Sequence, residues 1–171
     1  MRKLIVVLVT ALCVPAAALA NSPSPSATAS AQKQCASERT AMGADAFKSL
    51  YGTNGNKANA FGKCVSKRAS QNAKAQTNAA AQCRSERSAG PDAFKTKYGT
   101  GKNGANAFGR CVSGKAKAAE TAEVKATENA AKACWAERQA DPDAFKAKYG
   151  TNASKSNAFG KCVSGKVKHS S

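Results

Sequence analysis

Gly99, Gly101 and Gly104 spell GxGxxG, the spacing that lets a backbone wrap a pyrophosphate, and residues 109–115 and 160–166 read GxxxxGK, close to a phosphate loop. Neither reading survives its context. A dinucleotide fingerprint follows a strand, whereas this one follows a short helical stretch, and the equivalent stretches elsewhere read TNGNKA and TNASKS. The two GxxxxGK stretches carry Ala116 and Val167 where a Ser or Thr would hold magnesium, and each contains a cysteine. Structural zinc favours closely spaced pairs such as CxxC, which these cysteines do not form. The one histidine, His169, sits near the C-terminus, so a Cys and His nucleophilic pair would put one partner on a frayed tail, and an oxidised cysteine cannot attack. Asp141 and Asp143, the closest acids, read as helix N-terminal charge in ADPDAF. Asn54, Asn56 and Asn59 could offer carbonyls to calcium, but no carboxylate stands with them. No catalytic, cofactor-binding or metal residue is expected, no cofactor, and the chain reads as not an enzyme.

What carries these residues is a repeated cassette. The stretch YGTNGNKANAFGKCVS from Tyr51 returns from Tyr98 and from Tyr149, and ten of its sixteen positions are the same in all three copies. Each copy is preceded by CxxER and DAFK, so the units cover residues 35–66, 83–113 and 134–164.

Ahead of them, Arg2 and Lys3 precede an apolar run that ends in Ala18, Leu19 and Ala20, the pattern of a secretory signal with an AxA site. The expected exported form starts at Asn21, without a transmembrane segment, and is secreted, periplasmic or held in the cell envelope. Cys13 lies in the leader, leaving Cys35, Cys64, Cys83, Cys111, Cys134 and Cys162. An even number in an exported chain reads as disulfides. The segments between units are rich in Ala and Lys, free of Pro, and helical by propensity. Continuous helices there would hold Cys64 and Cys83 about 28 Å apart, and Cys111 and Cys134 about 34 Å, at 1.5 Å per residue. A disulfide needs a Cα separation under about 7 Å. Pairing is therefore expected within units: Cys35 with Cys64, Cys83 with Cys111, Cys134 with Cys162.

Inside a unit the pattern predicts helix, short helix, loop, helix. In the second, Pro91 and Asp92 start the short helix, Phe94 and Tyr98 share a face, and Gly99 ends it as a left-handed residue would. Asn106 reads as the N-cap of the third helix, with Phe108, Cys111 and Val112 on one face. The Glu and Arg of each CxxER, Glu38 with Arg39, Glu86 with Arg87 and Glu137 with Arg138, are adjacent and do not face each other, and each is expected to brace its own hairpin. The exported chain has one Leu, no Ile, five Val, six Phe, three Tyr, one Trp and one Met, too little for an ordinary globular core. Nearly all of the large residues lie in the cassettes. The expected fold is all-α: three disulfide-stapled helical-hairpin repeats, each its own small cluster, joined by Ala/Lys-rich helices. The boundaries are a signal peptide at 1–20, a flexible Ser/Pro/Ala spacer at 21–33, units at 34–68, 83–115 and 134–168, helical linkers at 69–82 and 116–133, and a tail at 169–171, with fraying from about Lys166.

Charge is the feature that points to function. The formal net charge is +17, and +15 without Arg2 and Lys3, from 19 Lys and 6 Arg against 10 acids. Such a chain associates with polyanions, and a Lys-heavy balance favours attraction without sequence reading. The candidate contacts are Lys63, Lys67, Arg68, Lys74, Arg110, Lys115, Lys117, Lys161, Lys166 and Lys168, the first linker dominating because Glu120, Glu123 and Glu128 dilute the second. Trp135 is the candidate exposed ring. The expectation is a non-catalytic binding or structural protein for anionic polymers, of the cell envelope or nucleic acid, or for an anionic envelope surface, without a small-molecule substrate. The alternative is a cationic membrane-active or antimicrobial protein, which would want a continuous apolar helix face.

The cassette, DAFKxxYGT followed by NAFG(K/R)CVS, resembles repeats of uncharacterised secreted bacterial proteins. That resemblance covers the three units and not the linkers; it implies export and repetition, and no activity.

Overall fold

The protein is described here by a computed structural model covering residues 24–101 and 103–169. The leader at 1–20 with its cleavage site, the first three spacer residues and residues 170–171 lie outside the described residues. Seven helices and no strand make up the described part: α1 (Pro25–Met42), α2 (Ala44–Tyr51), α3 (Ala60–Ala89), α4 (Pro91–Tyr98), α5 (Ala107–Ala140), α6 (Pro142–Tyr149) and α7 (Ala158–His169). The disulfides join Cys35 to Cys64, Cys83 to Cys111 and Cys134 to Cys162, with Cα separations of 6.0, 6.1 and 6.0 Å. Each closes one helix–short helix–helix hairpin.

The linkers are not separate elements. α3 runs unbroken from the third helix of the first unit into the first helix of the second, and α5 does the same between the second and third. At 30 and 34 residues they are about 45 and 51 Å long.

The segment at 21–33, expected as a flexible spacer, is helical from Pro25 onward. Ser24 Oγ accepts from the Ala27 amide at 3.2 Å and Pro25 fills the first turn, a complete helix start. Ala27 and Ala31 are buried, and Asn72 Nδ2 donates to the Ala27 carbonyl at 3.4 Å and to Gln34 Oε1 at 3.1 Å. The Ser/Pro/Ala composition hid an alanine face that fits α3. At the other end α7 holds its helix through His169, past the position where fraying was expected.

The expectation of three separate clusters is corrected as well. Each hairpin reverses the chain, so the bends alternate between the two ends of the bundle. The first and third units therefore share one end and the second is alone at the other. At the shared end Phe47, Tyr51, Met42, Phe145, Phe159, Val163 and two disulfides form one core. At the other end four buried residues, Cys83, Phe94, Ala107 and Cys111, form a second, with Tyr98, Phe108 and Val112 against it. Between the ends the seam is small-residue packing by Ala69, Ala79 and Ala116, which belong to neither core. Trp135, expected as an exposed ring, meets Phe159 edge-on at 5.8 Å within the shared core. Arg138 stacks over Trp135 and donates to Ser49 Oγ of the first unit at 3.2 Å, a cross-unit tie.

Candidate anion-binding grooves

The same two devices hold each unit's bend. The first is a carboxylate, phenol and cation cluster. Tyr98 Oη donates to Glu86 Oε2 at 2.8 Å while Lys115 Nζ pairs with Oε1 at 2.8 Å, and Tyr149, Glu137 and Lys166 repeat this at 2.8 and 2.7 Å. In the first unit Tyr51 and Arg68 take the same places around Glu38. The glutamates of CxxER thus brace their own hairpins, as expected; of the arginines, Arg87 lies over Phe108 of its own unit, whereas Arg138 reaches Ser49 of the first unit, which corrects the expectation for it. The second device is a clasp in which Asn59, Asn106 and Asn157 accept, each at 3.0 Å, from the amides of Thr53, Thr100 and Thr151, and donate back to the Thr hydroxyls. Asn106 makes no side-chain cap bond because its amide is used here.

Gly99 is not left-handed, with φ −75°. A Cβ on it would lie 2.5 Å from the Lys95 carbonyl oxygen and 2.6 Å from Gly104 Cα, so close approach of two backbones is what requires glycine. Lys57 and Lys155 take φ of 56° and 54° where the second unit has Gly104. The near-motifs end here also: 109–115 and 160–166 are helix interior, not loop. Among the described residues no cluster of His, Cys, Asp or Glu could hold a metal.

Pairing at the shared end brings four lysines to one groove of about 890 Å³. Lys57 and Lys67 come from the first unit, Lys161 and Lys168 from the third, and no carboxylate lines it. Burial, and then the neighbouring Arg68, lower the pKa of the Lys67 ammonium, which lies 5.7 Å from the Tyr51 ring. The floor is α7, where Gly160, Ser164 and Gly165 face the space. The second unit has its own depression of about 830 Å³ with the corresponding floor, Gly109, Ser113 and Gly114, rimmed by Lys97, Arg110 and Lys117. A Cβ built on any of these four glycines meets nothing within 4 Å. Each costs its helix about 1 kcal/mol relative to Ala, with no packing requirement to explain it.

The ten basic residues expected at a polyanion surface divide accordingly. Lys67, Lys161 and Lys168 line the shared groove; Arg110 and Lys117 line the second. Lys63 is exposed on α3 outside both. Lys115 and Lys166 are engaged with Glu86 and Glu137. Arg68 is withdrawn from the set, being 1% exposed and paired with Glu38. Lys74 borders a cleft shared with Glu120 and Glu123, where carboxylates offset it. Five of the ten therefore line the two grooves at the hairpin ends, with Lys67 the one among them from the first linker's side. Lys57 was missed, since only the pairing of units brings its loop beside α7.

No family model matches the chain, and no curated protein and no solved structure does either.

The bracing clusters have a pH signature. The Lys115 hydrogen bond, then that of Tyr98, hold the Glu86 carboxyl down at about 2, and Lys166 and then Tyr149 lower Glu137 in the same way. A folded pKa below the unfolded one gives stability that is complete above the ordinary carboxylate range and is lost as pH falls through the folded value. Thermal melts should thus be flat from neutral pH to about 5, then decline toward pH 2. Glu86→Gln should remove part of that decline, whereas a wild-type melt unchanged at pH 2.5 would contradict the assignment.

Proposed function

We propose that this is a non-catalytic, exported protein that holds anionic polymers through lysine-lined grooves at the ends of a stapled helical bundle. The observation that carries the reading is the shared groove, where Lys57, Lys67, Lys161 and Lys168 converge with no carboxylate among them. Convergence of one sign of charge in a concave surface focuses the field and raises the local concentration of a polyanion. Three disulfides suit an oxidising compartment. Among the described residues no helix is long and apolar enough to cross a membrane. Phe61, 39% exposed, is the large apolar side chain at their surface, which favours polymer binding over bilayer insertion.

A salt titration tests this. Binding to an anionic polymer should weaken linearly on log–log axes, with a slope of about 0.9 per phosphate contact on duplex DNA. Replacing Lys57, Lys67, Lys161 and Lys168 together by Gln should flatten the slope, because the neutralised contacts no longer release counterions. Binding that ignores salt, or a fourfold variant that behaves as wild type, would overturn the reading.

A further inference from the structure

We propose that the shared groove takes a polyol-phosphate strand, a thin chain of phosphodiesters and hydroxyl-bearing carbons, in preference to nucleic acid; this rests on the anionic-polymer reading above. Three features of the wall select that class. No aromatic ring lines the groove, so nothing there stacks on a nucleobase, the main sequence-tolerant grip on single strands. Its polar groups besides lysine are hydroxyls and amides, among them Ser49, Thr53, Ser156 and Ser164, which match the donors and acceptors of a polyol. Lysine supplies a point charge for a phosphodiester and no planar fork for a base edge.

The floor decides between a bulky and a thin ligand. Gly160 and Gly165 are half-buried, yet a Cβ on either would meet nothing within 4 Å, so a strand reaches the helix backbone itself. The depression on the second unit repeats this floor with Gly109, Ser113 and Gly114, and its cations Arg110 and Lys117 are the sequence equivalents of Lys161 and Lys168. Tyr98 borders that depression, but its hydroxyl is held by Glu86 and its ring packs on Phe94. Two copies of one floor make the bare helix face a construction of the repeat.

The test compares a glycerol-phosphate polymer, single-stranded DNA of matched charge, a sulfated glycan and neutral dextran, on the intact disulfide-bonded protein at one ionic strength. The polyol phosphate should bind about tenfold more tightly than the DNA. Gly165→Leu, which favours the helix and fills the floor, should weaken polyol-phosphate binding more than DNA binding and so reduce that preference to parity. Gly165→Ala serves as the small control. Equal binding of all three anionic polymers, or a Gly165→Leu protein that keeps the preference, overturns this inference and leaves the anionic-polymer reading standing. Preference for DNA or for the sulfated glycan also overturns it. No binding to any anionic polymer removes both.

Discussion

Replacing Cys83 and Cys111 by Ser should unfold the second hairpin while the other end of the molecule keeps its structure. Closing a loop of this length stabilises by about 3.5 kcal/mol on the chain-entropy estimate. The second unit has little else to set against its own ordering: four buried residues make its core, and α4 packs only on α3 and α5. Burial of Phe94 contributes about 1.5–3 kcal/mol. Phe108 is covered by Arg84 and Arg87 at 6.0 and 5.1 Å, a cover that water can replace at little cost. Removing Cys35–Cys64 takes away a bridge of similar loop length, yet Phe47 and Tyr51 remain packed in a core fed by five further helices. Amide exchange is the measurement. In the Cys83/Cys111 variant amides at 91–106 should lose protection while those at 44–59 retain it. A uniform loss across both ends would show that the two cores are not independent.

Glu38→Ala should cost about 3–5 kcal/mol, several times the cost of the same change at Glu137. The two residues are sequence equivalents with different surroundings. Glu38 and Arg68 are 0% and 1% exposed, whereas Glu137 and Lys166 are 35% and 36%. Removing one partner of a buried pair strands the other charge away from water, at about 3–5 kcal/mol. A solvent-screened pair is worth about 1 kcal/mol or less. Burial works against the Arg68 charge, but the Glu38 hydrogen bond and the surrounding groups outweigh it and raise its pKa. Burial pushes the Tyr51 phenol far up, with Arg68 opposing and Glu38 adding, so the hydroxyl stays a donor. Urea midpoints of Glu38→Ala and Glu137→Ala measure the contrast. Joint replacement Glu38→Leu with Arg68→Met should recover much of the loss, since two apolar groups leave no stranded charge. Equal shifts for the two glutamates would refute the burial argument.

Disulfide pairing and helix order were legible because both follow from distance along a helix: a rigid segment between Cys64 and Cys83 leaves only partners within the unit. The brace around each Glu was legible in part, since CxxER recurs, but its partners come from later in the chain. Ala27 and Ala31 were illegible because alanine gives almost no periodic signal, and a segment containing Ser24 and Pro25 reads as linker by composition alone. Arg68 looked like surface charge for the same reason. Nothing local distinguishes it from Lys115 and Lys166, and its burial comes from the long helices closing over it, with Glu123 at 3.8 Å. The shared groove was out of reach until the bends were known to alternate.

That alternation also orders events in time. Under the export proposed above, a chain threaded out of a membrane N-terminus first delivers the first hairpin early, but the rings that complete its core, Phe145 and Phe159, leave last. The middle hairpin draws its whole core from residues 83–112 and can close as soon as it emerges. Oxidation should therefore run out of chain order, Cys83–Cys111 settling first and Cys35–Cys64 becoming resistant to reductant only after Cys162 has arrived. A polypeptide stopped short of α7 would carry one finished staple in its middle and an unfinished one at its start.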